Sequence, residues 1–371
     1  MNVSTSPAQP TQAKWTVLLY SAADNNLKSY MLDDVNEIEG VGSDSYTNLV
    51  AQVDTGKACN RYLLQKDGDR SKINSPVVES LGKANMSDPQ TLADFISWGV
   101  KNYPAEHYMV VVSDHGNGWR GAVEDDSHGG WMSLPMLREG FEKAQEATGR
   151  KLDIIGFDAC LMASAEVTHE LKDVADYMIV SQETEGADGW PYSHILNPEL
   201  LQTVQQMHFS KINVEPRDLA IQTVHHASND QGVLPTMTAV DTAKVPAMTA
   251  ALDNLGKVIA DGSHGKALGK IAGETQSFTD YKDAFDFAQR IQDSRIQDID
   301  LKAAAQGVTE AISDAVIAEE HSDSYPRAHG ITVELSTWGT PSGYTDTKFG
   351  QETAWPQALG KLATEPQQKP A

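Results

Sequence analysis

Two short stretches bring together residue types that do chemistry: SDHGNGW at 113–119 and DACLM at 158–162. The first offers an imidazole, His115, beside glycines that let backbone approach a ligand closely. The second offers a thiol, Cys160, two residues after a carboxylate, Asp158. A thiolate attacks a carbonyl carbon, and an imidazole within reach takes the thiol proton and later delivers it to the leaving group. The backbone N–H groups of Gly116 and Cys160 are candidates for the oxyanion hole that a tetrahedral intermediate requires. Each residue alone has a plainer use. A cysteine is most often a small buried hydrophobe, and a loop histidine bonds to its neighbours. Only joint placement raises the catalytic reading above these.

The elements around them supply that placement. Apolar runs at 15–21, 48–54, 108–114, 152–158 and 177–183 read as strands. Between them lie helical patterns carried by Leu27, Met31, Val35 and Ile38, by Leu92, Phe95 and Ile96 after Pro89, and by Leu134, Leu137 and Phe141 after a capping Ser133. A further pattern, Leu161, Ala165, Thr168 and Leu171, predicts a helix directly after Cys160, whose N-terminus would favour the thiolate. Continuous apolar strands joined by helices predict a three-layer α/β fold with a mainly parallel sheet. Ligand sites in such sheets form at the carboxyl ends of the strands. His115 and Cys160 fall at the ends of successive strands.

The stretch 122–133 suggests a small hairpin. After residue 200 come a strand candidate at 235–241, helices near 244–260, 280–292 and 299–320, and a strand at 329–337. No linker or repeat separates the halves. The expected organisation is a disordered segment 1–14, one domain over 15–362 with a helical and strand extension from about 200, and a disordered tail 363–371.

Composition narrows the partners. The 371 residues carry a formal charge of -23, which opposes binding to nucleic acid or anionic membrane and draws cationic partners. A cationic substrate or partner fits, and a monomer is expected. Cys59 and Cys160 are the only cysteines, too few for a disulfide framework. The chain shows no signal-peptide core and no apolar run of membrane-spanning length, so it reads as cytoplasmic unless a leader was removed, with secretion as the alternative. There is no Walker loop and no dinucleotide fingerprint. His225, His226, and His128 beside Asp125 and Asp126 suggest zinc only weakly, because no cysteines stand at ligand spacing.

The pair SDHGNGW and DACLM resembles the His and Cys motifs of the clostripain family of cysteine peptidases, which is grouped with caspases, gingipains, legumain and separase. Cys160 follows His115 by 45 residues, of the order of the roughly 50 seen in caspases. YSAADNNL (20–27) and SQETEGADGWPY (181–192) are similar to the family's opening turn and its segment after the cysteine, and TMTAVD, DAFDFA and GITVELS are similar more weakly to later segments. The resemblance spans about residues 15–360. It implies a caspase-like sheet, a His115/Cys160 dyad without a third member, and cleavage after Arg or Lys, with protein or peptide substrates that carry basic residues. Asp158 and Asp188 are carboxylates able to accept a guanidinium or ammonium in that first pocket. Asp158 equally suits a helix cap, and Asp188, in a Gly-flanked loop, a turn.

Some family members cut themselves after a basic residue between the two motifs, but 121–137 contains no Arg or Lys. Others depend on calcium. Asp24, Asp54, Glu124, Asp125 and Asp126 are acidic loop candidates without the spacing of an EF-hand, so no cofactor is required and calcium is optional. A non-catalytic caspase-fold binding or scaffolding module is the competing reading, and a cysteine acyltransferase a third. A silent scaffold has no need of His115, Gly116, Cys160, Asp158 and Asp188 together.

Overall fold

The computed structural model describes residues 12–196, 214–228 and 234–363. The segments expected to be disordered lie outside these residues except at their inner ends, and the first strand already begins at Ala13. The strands in chain order are β1 (Ala13–Ala22), β2 (Thr47–Asp54), β3 (Cys59–Leu63), β4 (Val77–Gly82), β5 (Ala105–Ser113), β6 (Ala122–Asp125), β7 (Gly130–Met132), β8 (Leu152–Asp158), β9 (Ala175–Val180), β10 (Thr236–Asp241), β11 (Ser277–Phe278), β12 (Tyr281–Asp283), β13 (Val316–His321) and β14 (Thr332–Val333).

Nine of them form one sheet in the order β13-β10-β9-β8-β5-β1-β2-β3-β4. Its middle, β9 to β2, is parallel throughout. Antiparallel strands complete both edges, β10 and β13 on one side and β3 and β4 on the other. Every residue of β1 is buried, which is why its sequence shows an unbroken apolar run and no alternation.

Two apolar cores cover the two faces. One packs Val35 and Ile38 of helix α1 (Lys28–Val41) and apolar residues of the short helix Tyr192–Ile195 and of helix Pro216–Ser228 against the sheet. The other packs Phe95 of helix α2 (Pro89–Asn102), Phe141 of α3 (Leu134–Thr148) and Val167 of α4 (Ala165–Leu171). Each fully buried side chain of this size contributes about 1.5–3 kcal/mol of transfer free energy. This is the three-layer α/β arrangement that the alternating pattern predicts.

The second half adds helices Val245–Asp261, Ile299–Ala315 and Trp355–Leu362, which pack on one another and on α4. Four local expectations change. The strand expected over 329–337 pairs only at Thr332–Val333, in a small sheet with β11 and β12. The helix expected to run to 320 stops at Ala315, because Val316 and Ile317 enter β13, as suits β-branched residues, and Val316 pairs with Val240 of β10. The helix expected from 280 starts at Ala284, after the hairpin β11–β12, where Asp283 caps it by accepting the Asp286 N–H. Ser133 stands at the N-cap of α3 but makes no side-chain capping bond. The hairpin expected within 122–133 is present as β6–β7. No helix among the described residues is long and apolar enough to cross a membrane.

Candidate active site

From β1 the chain goes to one side to form β2 and to the other to form β5, so the sheet's switch point lies between β1 and β5. His115 stands two residues beyond the end of β5, and Cys160 two residues beyond the end of β8. These strands are parallel neighbours with Ser113 opposite Asp158, so equal offsets bring the two residues out at the same level. Both line a single cavity of about 130 Å³, together with Asp34, Asp158, Glu185 and Gly189.

Gly116 is pressed against the Cys160 backbone. A Cβ there would lie 2.3 Å from the Cys160 carbonyl oxygen and 3.0 Å from its nitrogen, so only glycine fits. Gly116 faces Ala122 across a short antiparallel bridge, whose bonds run from Asn117 N–H to the Gly121 carbonyl and from Val123 N–H to the His115 carbonyl. Neither bond uses the Gly116 N–H.

Cys160 lies in a tight turn and not at the start of a helix. Leu161 is left-handed, with φ 67°, and its N–H donates to the Glu183 carbonyl. A non-glycine residue in that region costs on the order of 1–2 kcal/mol. Helix α4 begins only at Ala165, with Ser164 as its cap, accepting the Val167 N–H. The expected helix N-terminus is therefore absent from the thiol. In its place the Glu185 N–H donates to Cys160 Sγ at 3.3 Å. Burial raises the pKa of Cys160, with the Asp158 and Glu183 charges adding to it and the Glu185 N–H opposing it.

The imidazole is held from the β1 side. His115 Nε2 is 2.7 Å from Asn26 Oδ1. An amide oxygen only accepts, so Nε2 carries the proton and Nδ1 the free lone pair. Neighbouring Asn25 donates to Asp114 Oδ1 at 2.6 Å, and Asp114 Oδ2 accepts the Glu124 N–H at 2.6 Å. The DNN run after β1 is thus tied to the residue preceding His115. Sequence reasoning placed Asn26 in a matching motif but gave it no role.

The second half supports the same loop. The Tyr281 hydroxyl donates to the Asn117 carbonyl at 2.8 Å, and a Cβ on Gly118 would meet the Tyr281 ring at 2.6 Å. The Trp119 indole N–H donates to Glu334 at 2.9 Å.

Carboxyl groups dominate the cavity. Asp158 is buried and accepts the Tyr192 hydroxyl at 2.7 Å. The Ser164 cap leaves it no helix-capping task. Gly189, at φ 62°, closes over it: a Cβ there would be 3.0 Å from Asp158 Oδ2 and 3.1 Å from Asp34 Oδ2. The Asp34 carboxyl is pushed up to about 10 by burial, then by the Asp158 charge and by Glu37, Asp33 and Asp188. Burial raises Asp158 as well, against the bonds from Tyr192 and its other neighbours. Glu185 is raised by burial and then by Asp158, and both its carboxyl oxygens are buried without a well-formed hydrogen bond.

Asp188 is exposed and does not line the cavity, although its neighbours Ala187 and Gly189 do. Asp34 and Glu185 were not singled out from sequence. Asp34 sits among polar residues of a helix far away in the chain, and only the packing of α1 shows where its carboxyl goes.

Of the acidic residues considered for calcium, Asp24, Asp54 and Asp125 converge, each offering an oxygen within 4.8 Å of the others. Glu124 lies instead 3.8 Å from His115 Nε2, and Asp126 bonds to Asp24 through backbone. The hard oxygens of the cluster suit calcium, and burial raises the Asp54 carboxyl, a strain that a cation would relieve. No other grouping of metal-ligating side chains occurs among the described residues. His128 is bonded to Asp125 and His225 to Glu320.

A thiol and an imidazole at adjoining strand ends of a three-layer α/β sheet define the class of cysteine-nucleophile proteins with a caspase-like fold. Residues 19–340 match the clostripain family, and the chain belongs to that family. The fold superimposes on a secreted C11 cysteine protease from Bacteroides thetaiotaomicron, solved with an irreversible peptide inhibitor, at a TM-score of 0.66 and 21% identity, covering 94% of this chain and 99% of that one. An inactive zymogen C11 protease from Parabacteroides distasonis gives a TM-score of 0.67 at 22% identity, covering 93% of this chain and 99% of that one. Clostripain from Hathewaya histolytica is 28% identical over 221 residues, which are 50% of this chain and 42% of that protein. The chain therefore aligns with less than half the length of that relative.

Proposed function

We propose that this protein is a cysteine endopeptidase that cleaves peptide bonds after Arg or Lys, with Cys160 as nucleophile and His115 as general base and acid. The observation that carries this reading is the single cavity lined by His115, Cys160 and the carboxyl groups of Asp34, Asp114, Asp158 and Glu185. His115 Nδ1 takes the thiol proton as Sγ attacks the scissile carbonyl. Burial holds Cys160 as the thiol at rest, so removal of its proton belongs to the attack. The N–H groups of Gly116 and Cys160 receive the oxyanion. His115 then protonates the departing amine, and water, activated by the same imidazole, releases the acyl group and regenerates the thiol. Asn26 fixes the ring's tautomer and orientation through Nε2.

The basic side chain enters the cavity beside Cys160 and meets Asp158, with Asp188 adding negative field from outside it. An acidic side chain meets like charge and is refused. Asp24, Asp54 and Asp125 would hold calcium, which would supply only structural support to the segments that carry them. No step of the reaction requires it. Hydrolysis of peptides ending in Arg or Lys before the reporter, lost in Cys160→Ala, tests the proposal. Turnover by the variant at the wild-type rate would end it.

A further inference from the structure

Four carboxyl groups, Asp34, Asp114, Asp158 and Glu185, line one small cavity with no lysine or arginine, and only Asp114 has its two oxygens bonded away, to Asn25 and the Glu124 N–H, so the other three pose an electrostatic problem that the site must solve. Asp34 comes from α1, Asp158 from β8 and Glu185 from the loop beside Cys160. The Gly189 backbone brings Asp34 Oδ2 and Asp158 Oδ2 into the ~6 Å range over which like charges suppress one another's ionisation. Glu185 presents two buried oxygens without a well-formed partner, and its own N–H is committed to the thiol. The neighbours add little relief. Asp33 and Glu37 on α1, Asp188 in the loop, Asp114 and Glu183 are all acidic, Tyr192 contributes only its hydroxyl, and Cys160 rests as a thiol. His115, bonded to Asn26, is the one lining group able to become cationic.

We propose that Asp34, Asp158 and Glu185 act as one proton-exchanging pocket, in which an entering basic side chain displaces protons from the carboxyl groups to solvent. This deepens the proposed function and rests on it for the identity of the substrate, but the exchange itself does not require turnover. With protons in place the pocket is an uncharged set of hydrogen-bonding acids, and it accepts neutral polar side chains. With protons gone it is a multiple anion and selects cations. The raised carboxyls of Asp34, Asp158 and Glu185 agree with the protonated resting form. The assignment makes Asp34 and Glu185 determinants of specificity, ahead of the exposed Asp188.

The consequence is selectivity set by pH. Arginine stays charged across the whole range, so any pH dependence of its preference over an uncharged isostere belongs to the protein. Comparing peptides with arginine and citrulline before the cleaved bond removes the ionisation of His115 and Cys160, which both substrates share. The ratio of their kcat/KM values should rise from about pH 6 to about pH 9, by up to roughly tenfold per pH unit for each proton displaced. Asp34→Asn and Glu185→Gln should each flatten that rise. A wild-type ratio independent of pH overturns the exchange. A rise that both variants keep in full overturns the assignment to Asp34 and Glu185.

Calorimetry of the wild-type chain with n-butylguanidinium, in two buffers of unlike ionisation enthalpy at one pH, reads proton release without any cleavage. Buffer-dependent heats support the exchange even if no peptide is cut, in which case the peptidase reading alone fails. Peptide cleavage accompanied by buffer-independent heats, or by no binding at millimolar concentration, overturns the exchange and leaves the peptidase reading intact.

Discussion

Asn26 Oδ1 and His115 Nε2 meet at 2.7 Å across the switch point of the sheet, joining the turn after β1 to the loop after β5. A dyad whose imidazole is oriented by a third side chain has a defined tautomer, and the lone pair it leaves free is Nδ1. Asn26→Ala should therefore lower kcat by about tenfold, the worth of one well-placed hydrogen bond that matters most when the ring becomes cationic. KM should change little. Steady-state kinetics on one arginine peptide decides it, and an unchanged kcat removes Asn26 from the machinery.

The two cysteines should react very differently. Cys59 is fully buried beside Met86, and burial pushes its thiol up to about 12. Cys160 lines the cavity and is half-buried. Neutral iodoacetamide should label Cys160 in the native chain and spare Cys59, as peptide mapping would show. Cys59→Ser should keep turnover within about twofold of wild type, and a large loss in a folded variant contradicts this account of Cys59.

Stability should fall toward alkaline pH. Asp34 holds its proton in the folded chain up to about 10, whereas an unfolded aspartate loses it near 3.9. The folded state thus binds the extra proton throughout that window, and stability is lost as pH rises through it. Asp34→Asn removes the penalty. Its melting temperature should exceed that of wild type by roughly a few degrees at pH 9, and the gap should close toward pH 4. A gap that widens toward acid would mean that Asp34 is ionised in the fold.

Asp158 and Asp188 should separate in mutation. Asp158 is buried on the cavity wall, whereas Asp188 is exposed between two lining residues and does not itself line the cavity. Asp158→Asn should cost roughly 1.5–3 kcal/mol in kcat/KM toward arginine peptides, the worth of a charged hydrogen bond. Asp188→Asn should cost less than about 1 kcal/mol, as suits a screened surface charge, and raised salt should shrink that cost further. Equal losses would place Asp188 inside the pocket.

The sheet and the convergence of His115 and Cys160 were legible because they rest on local signals. Unbroken apolar runs mark strands buried on both faces, and the residues just beyond β5 and β8 carry their chemistry in the motif itself. The edge strands β3 and β4 were not, since CNRYL and VVESLG are short, partly exposed and broken by charge. The helix misplaced onto Cys160 had the right apolar spacing, but the left-handed Leu161 and the Ser164 cap displace its start to Ala165. Asn26, Asp34 and Glu185 reach the cavity and His115 only through contacts between distant segments, which periodicity and motif spacing do not encode.

The central claim is cleavage after a basic residue by the Cys160 thiol. Matched fluorogenic peptides that differ only in carrying Arg, Lys, Ala or Asp before the cleaved bond, offered to wild type and Cys160→Ala, test it most directly. The account predicts turnover of the Arg and Lys peptides by wild type, weak or no turnover of Ala, none of Asp, and complete loss in the variant. Preference for Ala or Asp over Arg, or activity that survives Cys160→Ala, would contradict it.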